Sequence, residues 1–409
     1  MTQVSEAAVH PLDGAETLAL LRAVIAGAHA RIWVLQFLVD PRSEYDSRRD
    51  VRYLMHALAE ASARGVDVRV VLPTVLDEPL VYDKNLPAAR FMAVRGVAVR
   101  QYVATRQRPH MHAKAVLVDD ELVIGGNVNW TPDAFGGNSE QGIAIRSRPV
   151  AEIVARRFRR IWNDSVRMPY SFGPWAARDA PVESPTYHHP LPRTQEEHAR
   201  SLKAYWPRTR PVVDPYLRTR MPGAALRASL LSSVGGATVR ILAGQSYVRA
   251  VLELLSGARH QVWVSMMGLR ASTTPKLRVL LSALRAARRR GVDVRILYEE
   301  RDGPDTDWTA DVPFLRDGGV AVRRWKLPGH LHTRSLVVDE KDAMIGSQGW
   351  TPRSVFLSEE IVFQVTDPHL ARRLSERFEA WWHAGAPDLA STRKTESSHP
   401  FHQLGIKSP

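Results

Sequence analysis

The chain repeats itself, and that constrains its fold more than any other feature. The run Arg64-Gly65-Val66-Asp67-Val68-Arg69 recurs letter for letter as Arg290-Gly291-Val292-Asp293-Val294-Arg295. Gly14 opens a helical pattern ahead of Ile32-Trp33-Val34, as Gly244 does ahead of Val262-Trp263-Val264. Gly96-Val97-Ala98-Val99-Arg100 is matched by Gly319-Val320-Ala321-Val322-Arg323. From His112 onward the offset holds at 220 residues, pairing Asp119 with Asp339, Trp130 with Trp350, Glu140 with Glu360, Phe158 with Phe378 and Trp162 with Trp382. An ordered series of this kind means that one supersecondary unit is present twice.

Each half reads as helix, buried strand, helix, Arg-Gly-Val-Asp and strand, loop, short helix, strand, and a final strand with its return. Short apolar β-branched runs alternate with longer helical patterns, which predicts an α/β fold of two pseudo-symmetric units, each a mixed β-sheet flanked by helices. The glycine of Arg-Gly-Val-Asp falls just past a helix end, where a left-handed residue is wanted. The units are expected at 1–168 and 223–390. Between them, 169–222 is rich in Pro and Arg and too long for an ordinary connection, so it reads as a linker or a lid. The polar stretch 391–409 is expected to be disordered.

The chain holds no cysteine, which excludes disulfides, thiolate catalysis and Cys-type zinc sites. No window offers the roughly 18 uncharged apolar residues needed to span a bilayer. Leu18 to Ala28, interrupted by Arg22, reads as an amphipathic helix rather than a signal core. A cytoplasmic protein, in peripheral contact with a membrane at most, is the expectation. The formal charge of +13 favours an anionic partner without naming it.

The chemistry is concentrated in two matched runs. The first half has His112-Ala113-Lys114, then Asp119, then Gly126-Asn127-Val128-Asn129; the second has His332-Thr333-Arg334, then Asp339, then Gly346-Ser347-Gln348-Gly349. Residues two apart on a strand share a face, so His112 projects with Lys114 and His332 with Arg334. An imidazole beside a cation suits a phosphate. The glycine turn returns the chain so that Asn129 can reach the same phosphate oxygens.

These runs resemble the HKD signature of the phospholipase D superfamily, departing from it at Asn127, Arg334 and Gly349. The resemblance covers both halves but neither the linker nor the tail. It implies an active site at the interface of the two units, with His112, Lys114, Asn129, Glu140, His332, Arg334 and Glu360 as its working residues. Glu140 and Glu360, each 28 residues beyond a histidine, would accept a hydrogen bond from an imidazole and fix its tautomer. Asp119, Gly126, Asp339, Gly346 and Ser347 would be structural, the aspartates bracing the turn.

The implied reaction is a two-step displacement: His112 attacks phosphorus to give a phosphohistidine, and His332 protonates the leaving alcohol. No metal and no cofactor are implied. The substrate would be a phosphodiester, first of all a phospholipid whose headgroup is hydrolysed or exchanged, as in cardiolipin synthases. A nuclease acting on nucleic acid is the alternative, and a non-catalytic phosphate-binding protein with a degraded second motif is a third. Because duplication completes the site within one chain, no oligomer is required.

Overall fold

The computed structural model describes residues 3–41, 50–74, 79–104, 110–167, 223–232, 235–271, 274–299 and 311–384. The segments read above as linker or lid and as disordered tail lie outside the described residues.

Each half forms a seven-stranded mixed sheet, and the two are continuous. From the centre outward the first half runs Gln3–Leu12, Gly142–Arg146, Leu122–Gly126, Ala115–Val118, Arg31–Leu35, Asp67–Thr74 and Ala98–Val103. The second repeats that order with Ala237–Leu242, Val362–Thr366, Asp342–Gly346, Arg334–Val338, Gln261–Met266, Asp293–Tyr298 and Ala321–Arg324. A two-residue strand, Val166–Arg167, is added at the far edge of the first half. The innermost strands pair antiparallel with each other, Gln3 facing Arg240 and Val4 facing Val239, and so weld the halves into one sheet.

Those two central strands are absent from the sequence reading, which began each half at its first helix. The reason lies in the first of them. Gln3–Leu12 has its pattern broken by Glu6, which sits at φ 64 where the register shifts, and by Pro11 near its end. No clean alternation remains to be read.

Alternation is clear elsewhere and divides the core. Ile32 and Val34 pack on one side of the first half-sheet with Leu20, Leu21, Leu54 and Leu58 from the helices Gly14–Ala26 and Asp50–Ala63. Trp33 and Leu35 face the other side, against Val154 and Phe158 of the helix Arg148–Asp164. Adjacent strand residues point to opposite faces, so helices on both faces are what such fully apolar strands require. The closing helices repeat one device: Trp33, Phe158 and Trp162 stack at centroid separations of 4.9 and 5.7 Å, and Trp263, Phe378 and Trp382 at 5.2 and 5.8 Å. Gly65 and Gly291 both take φ 91 just past their helices, as the motif predicts.

Candidate active site

The two histidines lie not within strands but immediately ahead of them, because their backbone bonds go elsewhere. His112 N donates to Glu359 O at 2.9 Å, and His332 N donates to Ser139 O at 3.0 Å. In each case the histidine segment of one half is held by the residue preceding the glutamate of the other. Around these bonds His110 pairs parallel with Ser358, and Leu331 with Ser139. The interface between the units is thus tied by main chain at the position of the chemistry.

Side chains follow the same exchange. His112 Nδ1 lies 3.0 and 3.1 Å from the carboxylate oxygens of Glu360, and His332 Nδ1 lies 2.8 Å from Glu140. A glutamate partner for each imidazole was expected; its crossing between halves was not legible. With Nδ1–H donating to a carboxylate, Nε2 of each ring is the nitrogen left for attack or proton transfer. Glu140 and Glu360 are each about 1% exposed, and burial pushes both carboxyls above their ordinary range. Burial, reinforced by the charges of Lys114 and Arg334, holds His112 well below the ordinary imidazole value.

The glutamates have their own supports. Ser354 Oγ donates to Glu360 at 2.6 Å and accepts from Gly349 N at 2.8 Å. Asn127, fully buried, accepts from Gln141 N at 2.9 Å and donates to the carbonyl of His332 across the interface. The asparagine that replaces the usual serine therefore anchors the opposite histidine's backbone. Ser347 at the matching place accepts from Ile361 N at 3.0 Å.

The cations are placed unequally. Lys114 Nζ donates to His112 O at 2.7 Å and lies 4.6 Å from the centre of the Phe37 ring, whose edge also packs on His112. Arg334 Nη1 lies 3.5 Å from His332 Nε2, and Nη2 rests 3.2 Å from Met267 Sδ. Gly349 matters here: a Cβ built on it would stand 3.6 Å from Arg334 Nε. Positions 334 and 349, at which the second half departs from the signature, are therefore neighbours in space. Asn129 keeps its place in the first half, and its Oδ1 is buried without a hydrogen-bond partner among the described residues.

Asp119 and Asp339 stand apart from the chemistry. Asp119 accepts from the backbone of His29, Ala30 and Arg31, and Asp339 from Arg259, His260 and Gln261. Both sit at positive φ, 49 and 53, and tie the turn of the motif hairpin to the start of the neighbouring strand. Gly126 and Gly346 allow close approach, since a Cβ on either would fall 2.5 or 2.4 Å from a backbone oxygen.

Sequence reasoning passed over several residues that gather here. His110 and His330 extend the 220-residue offset two positions upstream. Arg353 lies close enough for its charge to act on His110 and His112. Phe37 and Met267 carry the cations. The repeat of His-x-His in both halves was the available signal for the histidines; nothing in the local sequence marks Phe37 or Met267.

A duplicated unit thus brings two imidazole–carboxylate pairs and two cations to the interface of its halves, carried by the runs that resemble the HKD signature. The family described as "Cardiolipin synthase, PLD-like domain" matches residues 21–162 and 251–382, so the chain belongs to that phospholipase D-like family. Among its relatives, cardiolipin synthase A of Pseudomonas fluorescens is 28% identical over 381 residues, covering 87% of this chain and 65% of that protein. The human mitochondrial cardiolipin hydrolase is 27% identical over 160 residues, covering 38% of this chain and 59% of that protein. The chain thus spans less than two thirds of the length of these relatives. Phosphatidylserine synthase of Haemophilus influenzae superposes with a TM-score of 0.59 at 14% identity, covering 92% of this chain and 86% of that one, which shows a shared fold. Among the described residues no helix is long and apolar enough to cross a membrane.

Proposed function

We propose that the protein transfers or hydrolyses the phosphatidyl group of a phospholipid through a phosphohistidine on His112. The observation that carries this reading is the crossed pair of imidazole–carboxylate hydrogen bonds, His112 with Glu360 and His332 with Glu140. It leaves Nε2 of each ring clear of the carboxylates, one to attack phosphorus and the other, protonated at the start, to give its proton to the leaving alcohol.

In the first step His112 Nε2 forms an N–P bond as the O–P bond to the headgroup breaks, while the protonated Nε2 of His332 gives its proton to the departing alkoxide. In the second, water or an acceptor alcohol loses its proton to His332 as its oxygen attacks phosphorus and the N–P bond breaks. Held neutral by burial, His112 is in the form a nucleophile requires. Lys114, Arg334 and Asn129 would stabilise charge on the equatorial oxygens. That three charge-stabilising groups surround the site is why no metal is assigned a step.

The phospholipid reading is favoured over nucleic acid by the cardiolipin synthase relative that spans most of the chain. The test is a panel of phosphodiesters in excess chelator: vesicles of phosphatidylglycerol and phosphatidylcholine, and single-stranded DNA. Phosphatidic acid or a transphosphatidylation product from the vesicles is the expected result. Degradation of DNA alone would replace this reading with the nuclease one, and dependence on an added divalent ion would remove the metal-free mechanism.

A further inference from the structure

The upstream histidines His110 and His330 occupy equivalent positions in opposite environments. His110 is 7% exposed, and neither ring nitrogen has a hydrogen-bond partner among the described residues. Its ring packs against Phe37 at 5.2 Å and His112 at 6.3 Å. His330, by contrast, is half-buried and bonds through Nδ1 to Glu299 Oε1.

Glu299 is the unexpected group. It follows the strand Asp293–Tyr298 at the end facing the site, fixed by a bond from its N to Met266 O at 3.3 Å, and is 5% exposed. One carboxylate oxygen is taken by His330. The other, Oε2, is buried and has no partner among the described residues. Placing an acceptor out of water without a donor costs about 1–3 kcal/mol, so such an atom calls for an explanation.

Its surroundings link it to the chemistry. Asn138 accepts from His330 N at 3.2 Å and donates to Glu140 at 3.4 Å, and Glu140 holds His332. Glu299 and His330 are therefore tied by hydrogen bonds, through Asn138 and Glu140, to the second-half histidine. The equivalent of Glu299 in the first half, counted from Asp67 and Asp293, is Pro73. The acid is found on one side only.

We infer that Glu299 and His330 form an alcohol-binding subsite on the His332 side, in which Glu299 Oε2 accepts a hydrogen bond from a hydroxyl of the leaving or incoming polyol. This rests on the phosphatidyl-transfer reading above and deepens it by giving the site a direction. In an in-line displacement the alcohol occupies the side opposite the nucleophile, where His332 stands. A buried carboxylate there accepts from a hydroxyl-bearing alcohol, repels a second phosphate, and finds no donor on a quaternary ammonium group. His110 and Phe37 pack instead beside His112, on the nucleophile's side.

The test compares the fate of one intermediate. With phosphatidylglycerol vesicles as donor and isotopically labelled glycerol as acceptor, the ratio of labelled phosphatidylglycerol to phosphatidic acid reports how the phosphatidyl-enzyme divides between glycerol and water, whatever fraction of protein is active. For Glu299→Gln the ratio is expected to fall about tenfold, the worth of a hydrogen bond to a charged group. His110→Gln, on the nucleophile's side, should hold the ratio within twofold of wild type. An unchanged ratio in Glu299→Gln, with both products still formed, overturns the subsite and leaves the phosphatidyl-transfer reading standing. Wild-type protein that forms neither product removes that reading and the subsite with it.

Discussion

The first half keeps a lysine and an asparagine around its histidine; the second presents an arginine and a glycine. Read as strings, these look like an intact motif and a decaying one. In space the two departures touch, a Cβ on Gly349 falling 3.6 Å from Arg334 Nε. What the comparison teaches is that the positions at which the halves differ are neighbours, so they are to be tested together and not one by one.

The largest effect should come from the element the halves share. His112→Ala and His332→Ala are each expected to lower kcat by about 10⁴-fold or more, since each imidazole acts in both steps. The trapped phosphoprotein separates them: it should vanish in His112→Ala and persist in His332→Ala. The reverse pattern would exchange nucleophile and acid between the halves.

Next come the glutamates. Glu360→Gln should behave as a first-half lesion and Glu140→Gln as a second-half one, each costing about 10²-fold. Combined with His112→Ala, Glu360→Gln should add almost nothing, because the imidazole it orients is gone. Additive losses in that double variant would break the crossed assignment.

About tenfold is expected from Arg334→Lys and from Gly349→Asn taken singly, the first leaving a gap and the second crowding the guanidinium. Together they should recover most of the loss. If the double variant is as poor as the sum, the two positions are not one packing unit.

Two predictions concern stability. Asp119→Asn and Asp339→Asn should each destabilise the fold by about 1–3 kcal/mol in denaturant titration, alike in the two halves, since each carboxylate accepts from three backbone amides. Acid should destabilise through the first half in particular. Burial holds His110 at about 3 and His10 at about 4, below their unfolded value near 6.5. The unfolded chain then binds more protons, so this stability is present above about pH 6.5 and is lost as pH falls toward those lower values. His110→Gln should flatten the decline, by at most about 1.4 kcal/mol per pH unit.

Much of this was legible in the sequence, and the rest was hidden for definite reasons. The duplication and the helix-ending glycines follow from spacing alone; the histidines were singled out by the resemblance and expected on strands, whereas they lie just ahead of them. The strands Gln3–Leu12 and Ala237–Leu242 were not legible; a bulge at Glu6 erases the period of the first. The exchange of glutamates could not be read, since a fixed separation of 28 residues says that a partner exists but not which ring it meets. Glu299 was invisible for another reason: it breaks the repeat, and a search for likeness passes over what the halves do not share.

The reciprocal bonding of histidine and glutamate has a consequence for how the molecule can be divided. Each half supplies what the other lacks, as residues do across the self-complementary face of a two-fold dimer. A polypeptide carrying one half would present a ring with no carboxylate behind it, and two identical copies would restore the partner but not the single Glu299. Fusion therefore fixes more than stoichiometry: it lets one face of a formerly symmetric cleft specialise while the other stays plain.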